Sequence, residues 1–284
     1  TDAKGLVGLH MIVGGPAGEG KSSLVQDLLC SPAVRGARRL TAKVDLLRGN
    51  VPYGPIIDAV RDMVRGLAGE PPAVLDTWRA CLRSALAPTA GAVLDAIPDL
   101  AEILGVAAPV EPSPETERRF PLALASLVHA FAASGSPLVI FLDDLQWADA
   151  ASLRLLALLA APEVHHLLVV GAYRTDDVGP EHPLSRALDA VSRAGTRVTS
   201  VELAPFDLHV LTTLVADTLR CTRERARPLA AIVLQKTAGN PFFVERFLRH
   251  IQRAGLLVFD RERGSWGWDP RQLAHADVTE NVVD

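Results

Sequence analysis

Cysteine is scarce: Cys30, Cys81 and Cys221 are far apart, odd in number, and without CxxC or Cys/His ligand spacing. That pattern argues against a disulfide framework and against structural zinc, and fits reduced, buried thiols in a cytosolic protein. Charge of one sign is lacking too. Lys and Arg total 29 against 33 Asp and Glu, a net of -4, so no global field recruits nucleic acid or an acidic membrane. Long hydrophobic runs are missing, since stretches such as Pro137 to Leu142 and Leu155 to Ala161 fall well short of the ~20 residues a spanning helix needs. The N-terminus carries no signal-peptide pattern. The eight histidines show no HExxH or comparable ligand spacing, and there is no internal repeat or low-complexity tract.

What is present is apolar material in quantity. With 284 residues, 49% of them hydrophobic, the chain buries a core without staples and is expected to form one α/β domain with a smaller appendage. It opens on Thr1 rather than Met and stops at Asn281-Val-Val-Asp284 without a cap, which gives the expectation of a piece of something longer.

Leu9 to Val13 is a short apolar run ending in Gly14-Gly15-Pro16, the pattern of a buried strand entering a turn, and Ser22 to Leu29 follows with helical spacing. Arg39 to Val44 reads as a weaker strand. From Val51 to about Leu104 apolar residues recur at three and four, which predicts a helical insertion. Ala107 to Pro114 is a Pro-rich loop, after which Ser113 caps and Pro114 begins a helix to about Ala133, kinked at Pro121. Pro137 to Leu142 is uninterrupted apolar, as in a strand covered on both faces of a parallel sheet. A helix over Ala150 to Leu159, a strand over His166 to Tyr173 and a last strand over Val198 to Leu203 follow. Strands alternating with helices imply right-handed crossovers and a doubly wound sheet. Beyond Pro205 the pattern is helical over Asp207 to Leu219, Thr222 to Lys236 and Pro241 to Ala254. Leu256 to Trp268 then reads as a hairpin turning near Arg263-Gly264.

The chemistry concentrates at Gly15, Pro16, Ala17, Gly18, Glu19, Gly20, Lys21 and Ser22, an octet with P-loop spacing, followed by Ser23. Glycines let such a loop wrap with its amides inward at phosphate oxygens, where a Cβ would obstruct close approach. Lys21 is placed to reach the β and γ phosphates, and Ser22 supplies a hydroxyl to Mg²⁺ at the positive end of the following helix. The competing reading, a chance glycine-rich turn, is weakened by the strand before it and the helix after it.

Asp143 closes the run PLVIFLDD, the hydrophobic strand ending in acid that P-loop ATPases use to hold Mg²⁺. The neighbouring Asp144 either orients the attacking water or caps the next helix. Arg174, ending the following strand, is either a γ-phosphate sensor or a surface arginine. Trp147 reads as a packing anchor, His165 and His166 as flanking a strand, and Gly239-Asn240-Pro241 as a helix start.

GPAGEGKS, VIFLDDLQWAD, LLVVGAYR and QKTAGNPFFVERFL, in that order, resemble the STAND-class signalling ATPases, relatives of AAA+ proteins. The subset most resembled is the ATPase region of large bacterial hybrid sensors, between a serine/threonine kinase domain and GAF and histidine kinase domains. VPYGPIIDAVRDMVRGL and LLVFDRERGSWGWD are similar to that subset too, so nearly the whole chain is covered.

The resemblance implies a P-loop NTPase of the ASCE type with parallel sheet order 5-1-4-3-2, which puts the Arg174 strand between the P-loop and Asp143 strands. It implies an α/β domain over residues 1–205 with a helical insertion at about 53–106. A helical lid over 206–254 and a winged-helix-like segment beginning at 255–284 complete it. Pro241, in the family's glycine-x-proline position, is then expected on the adenine side of the nucleotide. Site roles follow: Asp144, Lys21 and Arg174 catalytic, Gly15 to Ser23 and Pro241 nucleotide-binding, Ser22 and Asp143 on Mg²⁺. The family's upstream Gly-Arg-Glu segment is absent, and the acidic pair is Asp-Asp where many AAA+ enzymes have Asp-Glu. That shorter acid favours a slow switch over a motor.

Expected partners are ATP and ADP, flanking kinase or sensor domains of the same polypeptide, and nucleotide-dependent self-association. Nucleic acid and membrane are not expected, and a cytoplasmic location is. The alternatives are the regulatory ATPase of a LuxR-type transcriptional activator and a scaffold that binds ATP without turnover. A transporter ATPase is disfavoured because no LSGGQ-like signature lies between the two nucleotide motifs.

Overall fold

The computed structural model describes residues 9–45, 52–87, 89–106, 114–160, 164–262 and 264–275. The elements run β1 (Leu9–Gly15), α1 (Lys21–Cys30), β2 (Arg38–Lys43), α2 (Gly54–Leu67), α3 (Pro72–Leu86), α4 (Ala90–Leu94), α5 (Asp99–Leu104), α6 (Pro114–Ala133) and β3 (Leu138–Asp143). They continue with α7 (Ala150–Leu159), β4 (Leu167–Arg174), α8 (Pro183–Arg193), β5 (Arg197–Glu202), α9 (Leu208–Leu219), α10 (Arg223–Thr237) and α11 (Pro241–Arg253). The last are β6 (Leu257–Asp260), β7 (Ser265–Trp268) and α12 (Pro270–His275). The Ser113 cap, the turn residue Arg263 and the chain ends lie outside the described residues.

The chain divides into two units: residues up to Gly14 with Lys21–Glu202, and Gly15–Gly20 with the chain from Leu203 onward. The first is built on a five-stranded sheet in the order β2-β3-β4-β1-β5, which is the expected 5-1-4-3-2 read from the other edge. All six residues of β3 are buried, as a strand covered on both faces requires. Its register sets Lys43 of β2 beside Asp143, and Leu142 beside Gly171 of β4.

Gly171 is needed for packing. A Cβ there would sit 2.5 Å from Leu145 and 2.7 Å from Ile12, so a bare backbone is what lets Leu145 settle over β4. The core of this unit continues through Val60, Trp78, Leu82, Leu124 and Phe131, and Trp78 meets Phe131 at a centroid distance of 5.0 Å. Helices α2 to α5 fill the stretch whose spacing predicts helix rather than sheet, and α6 passes through Pro121 without ending.

Two helices, α8 and α12, are not among the elements expected from the sequence. Helix α8 buries Leu184 and Val191, with Pro183 in its first turn and His182 accepting from the Leu184 amide at 3.1 Å. Those apolar residues, seven apart and led by a proline, are an adequate helix signal.

The second unit has its own core, including Leu211, Val215, Leu229, Val233, Val244, Phe247, Ile251 and Leu273. Asp207, Thr222 and Asn240 cap α9, α10 and α11, each accepting from first-turn amides. Each such cap stabilises its helix by about 1 kcal/mol. β6 and β7 pair antiparallel, from Leu257 opposite Trp268 to Asp260 opposite Ser265.

Candidate nucleotide site

β3 delivers Asp143 to the carboxyl edge of the sheet, where ligands of such folds bind. Its Oδ2 accepts from the Ser22 hydroxyl at 2.8 Å, and its Oδ1 accepts from the Asp144 amide at 3.0 Å. Ser22 is the second residue of α1, so the pair stands at the positive end of that helix's dipole. Lys21, the first residue of α1, is buried. Among the described residues no group of three or more His, Cys, Asp or Glu could hold a metal by itself. A hydroxyl and one carboxylate do suit Mg²⁺, which completes its shell with phosphate oxygens and water.

Asp144 adopts a left-handed conformation, φ 57 and ψ 43, and opens the short 3-10 turn Leu145–Trp147. That turn folds Gln146 back so that its Nε2 donates to Asp144 Oδ1 at 2.9 Å, while its Oε1 accepts from the Arg174 amide at 3.1 Å. Lys43 Nζ lies 3.3 Å from Asp144 Oδ2, and Arg174 Nε lies 3.7 Å from Oδ1. The Arg174 guanidinium also stacks over Trp147, 4.9 Å from the ring centroid.

Asp144 stands at the N-cap position of that 3-10 turn but makes no side-chain cap hydrogen bond. α7 is capped by Asp149, whose Oδ1 accepts from the Ala151 and Ser152 amides at 2.9 Å.

The loop Gly15–Gly20 groups with the second unit. Gly18 and Gly20 have φ of 81 and 82, and a Cβ on Gly20 would meet nothing within 4 Å. Around Gly20 there is open space, as a cradle for an anion requires. Asn240 Nδ2 donates to the Ala17 carbonyl at 2.8 Å and lies 3.3 Å from Glu19 Oε1. The Phe242 amide donates to the Gly18 carbonyl at 3.2 Å. Pro241 begins α11 and, with Phe206, Val215, Leu248 and Trp266, lines a cavity of about 350 Å³.

A family model for the AAA ATPase domain matches residues 4–170. The chain belongs to the AAA ATPase family. It is 26% identical, over 340 aligned positions, to hybrid signal transduction histidine kinase G of Dictyostelium discoideum. That match covers 96% of this chain and 10% of the relative, so the chain spans about a tenth of that protein's length. Among solved structures, Cdc6p from Pyrobaculum aerophilum superposes with a TM-score of 0.44 at 13% identity, over 87% of this chain and 56% of that one. Drosophila ORC bound to AT-rich DNA and Cdc6 gives 0.35 at 12%, over 94% and 84%.

In this AAA ATPase chain, Ser22, Asp143, Asp144 and Arg174 are joined by direct or shared hydrogen bonds and ion pairs within the first unit. Ser23 is exposed on α1. Lys43 and Gln146 carry no signal of their own in the sequence, and Asn240 reads there only as part of the helix start Gly239-Asn240-Pro241. Gln146 lies within VIFLDDLQWAD and Asn240 within QKTAGNPFFVERFL. Their partners are set by tertiary neighbours that spacing does not reveal. No described helix is long and apolar enough to cross a membrane.

Proposed function

We propose that this chain is the nucleotide-switch module of a longer signalling protein, binding Mg²⁺-ATP and hydrolysing it slowly to ADP and phosphate. The observation that carries the reading is the Ser22–Asp143 hydrogen bond, which brings the loop's hydroxyl to the strand's carboxylate from 121 positions away. In this reading the amides of Gly15–Gly20 take phosphate oxygens, Lys21 balances their charge, and Ser22 and Asp143 hold Mg²⁺. The metal supplies neutralisation of charge on the β and γ phosphates. Asp144 accepts the proton of the attacking water, Arg174 addresses the γ-phosphate, and Pro241 lies on the adenine side.

Slow turnover is favoured by the engagement of the Asp144 carboxylate with Lys43, Gln146 and Arg174, which competes with water for its lone pairs. Switching needs ATP and ADP to make different contacts, and this reading gives Arg174 the task of telling them apart. The hybrid histidine kinase relative supports a signalling setting with flanking kinase or sensor domains. Nucleotide-dependent self-association and a cytoplasmic location belong to the same proposal. Phosphate release from ATP by the purified chain tests the enzymatic part. Slow, Mg²⁺-dependent release is expected, and bound ATP with no release at all would reduce the module to a scaffold.

A further inference from the structure

Asn240 divides its amide between two segments, the first turn of α11 and the Gly15–Gly20 loop. Its Oδ1 accepts from the Phe242 and Phe243 amides at 3.1 and 3.4 Å, capping α11, while Nδ2 donates to the Ala17 carbonyl at 2.8 Å. The Phe242 N–H is shared, reaching the Gly18 carbonyl at 3.2 Å. Gly18 is what permits this approach: a Cβ there would lie 2.7 Å from Asn240 Oδ1 and 3.1 Å from Phe242 Cβ. From the other side, the Phe206 amide holds the Gly239 carbonyl at 2.8 Å, fixing the backbone that presents Asn240.

Planarity of the trans peptide makes these contacts directional. In each peptide unit the carbonyl and the following N–H point opposite ways. With the carbonyls of Ala17 and Gly18 drawn toward α11, the N–H groups of Gly18 and Glu19 turn away from it. Two successive amides turned to one side form a concavity suited to an anion.

We propose that Asn240 is a positioning residue that latches the phosphate loop to the first turn of α11, setting the amide directions of Gly18 and Glu19. The loop and the start of α11 then rearrange together, so the helix follows what the loop binds. The inference rests on reading Gly15–Gly20 as the nucleotide loop, and it assigns to the middle residue of Gly239-Asn240-Pro241 a task apart from that of Pro241.

Asn240→Asp and Asn240→Ser separate latch from cap. Asp and Ser cap a helix about as well as Asn. The carboxylate cannot donate to Ala17 and repels Glu19, whereas the Ser hydroxyl is too short to reach Ala17 and adds no charge. Two measurements are made on each. Hydrogen exchange on nucleotide-free protein is expected to quicken for the peptide spanning 15–22 and to stay unchanged over 244–253. Titration with ATP and with ADP is expected to show both affinities falling about tenfold, the size of one lost hydrogen bond with its partner left bare. Unchanged exchange in the loop of a folded variant would overturn the latch, whatever the nucleotide result. Wild-type chain that binds no ATP would instead overturn the functional reading, and loop exchange in the variants would still decide the latch.

Discussion

The guanidinium of Arg174 stacks on the indole of Trp147, its central carbon 4.9 Å from the ring centroid, with Nε 3.7 Å from Asp144 Oδ1. A cation over an indole face is held by about 0.5–1 kcal/mol at a partly exposed site. Trp147 is therefore a packing residue whose partner is the proposed sensor. Arg174→Ala is expected to lower ATP affinity about tenfold while leaving ADP affinity within about twofold, the loss of one charge-assisted contact to the γ-phosphate. Calorimetric titration with each nucleotide checks it, and equal losses for both would remove the sensor role. Trp147→Leu should weaken ATP binding only a few-fold, in line with the lost stacking.

On the proposed reading, changes at Asp144 and Gln146 are expected to alter hydrolysis rather than binding. Asp144→Asn should keep ATP affinity and lose turnover by about 10²- to 10⁴-fold, the usual contribution of a general base. Gln146→Leu removes the donor to Asp144 Oδ1 and the acceptor of the Arg174 amide. It should lower kcat more than it raises KM. Single-turnover phosphate release measures both, and a Gln146→Leu variant altered in KM alone would place that amide in binding instead.

Asp143 and Ser22 predict the metal dependence. With the 2.8 Å pair broken by Ser22→Ala, ATP affinity in Mg²⁺ should fall about tenfold, toward the value the wild type shows in a chelator. Lost response to Mg²⁺ with binding otherwise intact is the expected signature. A variant as responsive to Mg²⁺ as the wild type would take Ser22 out of the site.

His10 gives the fold a pH dependence of definite sign. It is buried on β1 beside Leu156, Val191 and Val198, and burial lowers its pKa from 6.5 to about 4. Between those values the unfolded chain takes a proton that the folded chain refuses. Stability is therefore full above pH 6.5 and declines as pH falls toward 4, by roughly 3 kcal/mol from this group. Burial lowers His129 as well, so it adds to the same slope. Urea denaturation at pH 7 and pH 4.5 should show a smaller difference for His10→Leu than for the wild type.

β3 and β4 are legible because burial on both faces leaves an uninterrupted apolar word, as in Leu138–Asp143, whereas β2 and β5 bury few of their residues and leave a weaker pattern. The phosphate loop was legible because its chemistry needs glycines at fixed spacing. Helix α8 carries a legible signal in Pro183, Leu184 and Val191. Lys43 was not legible: it matters because strand register places it beside Asp143, about a hundred residues on. Gln146 depends on the left-handed turn at Asp144, which a non-glycine residue does not announce. Asn240 reads locally as a helix cap, and its second partner, Ala17, is reached only through the fold.

A nucleotide cradle at Gly15–Ser22 depends on Lys21. Titration of ATP with Mg²⁺ into the wild type and into Lys21→Ala should show saturable binding in the first. In the second, affinity should drop by at least about a hundredfold, as expected when the lysine facing the β and γ phosphates is removed. Equal affinity in the two, with both chains folded, would show that Gly15–Ser22 does not hold the nucleotide.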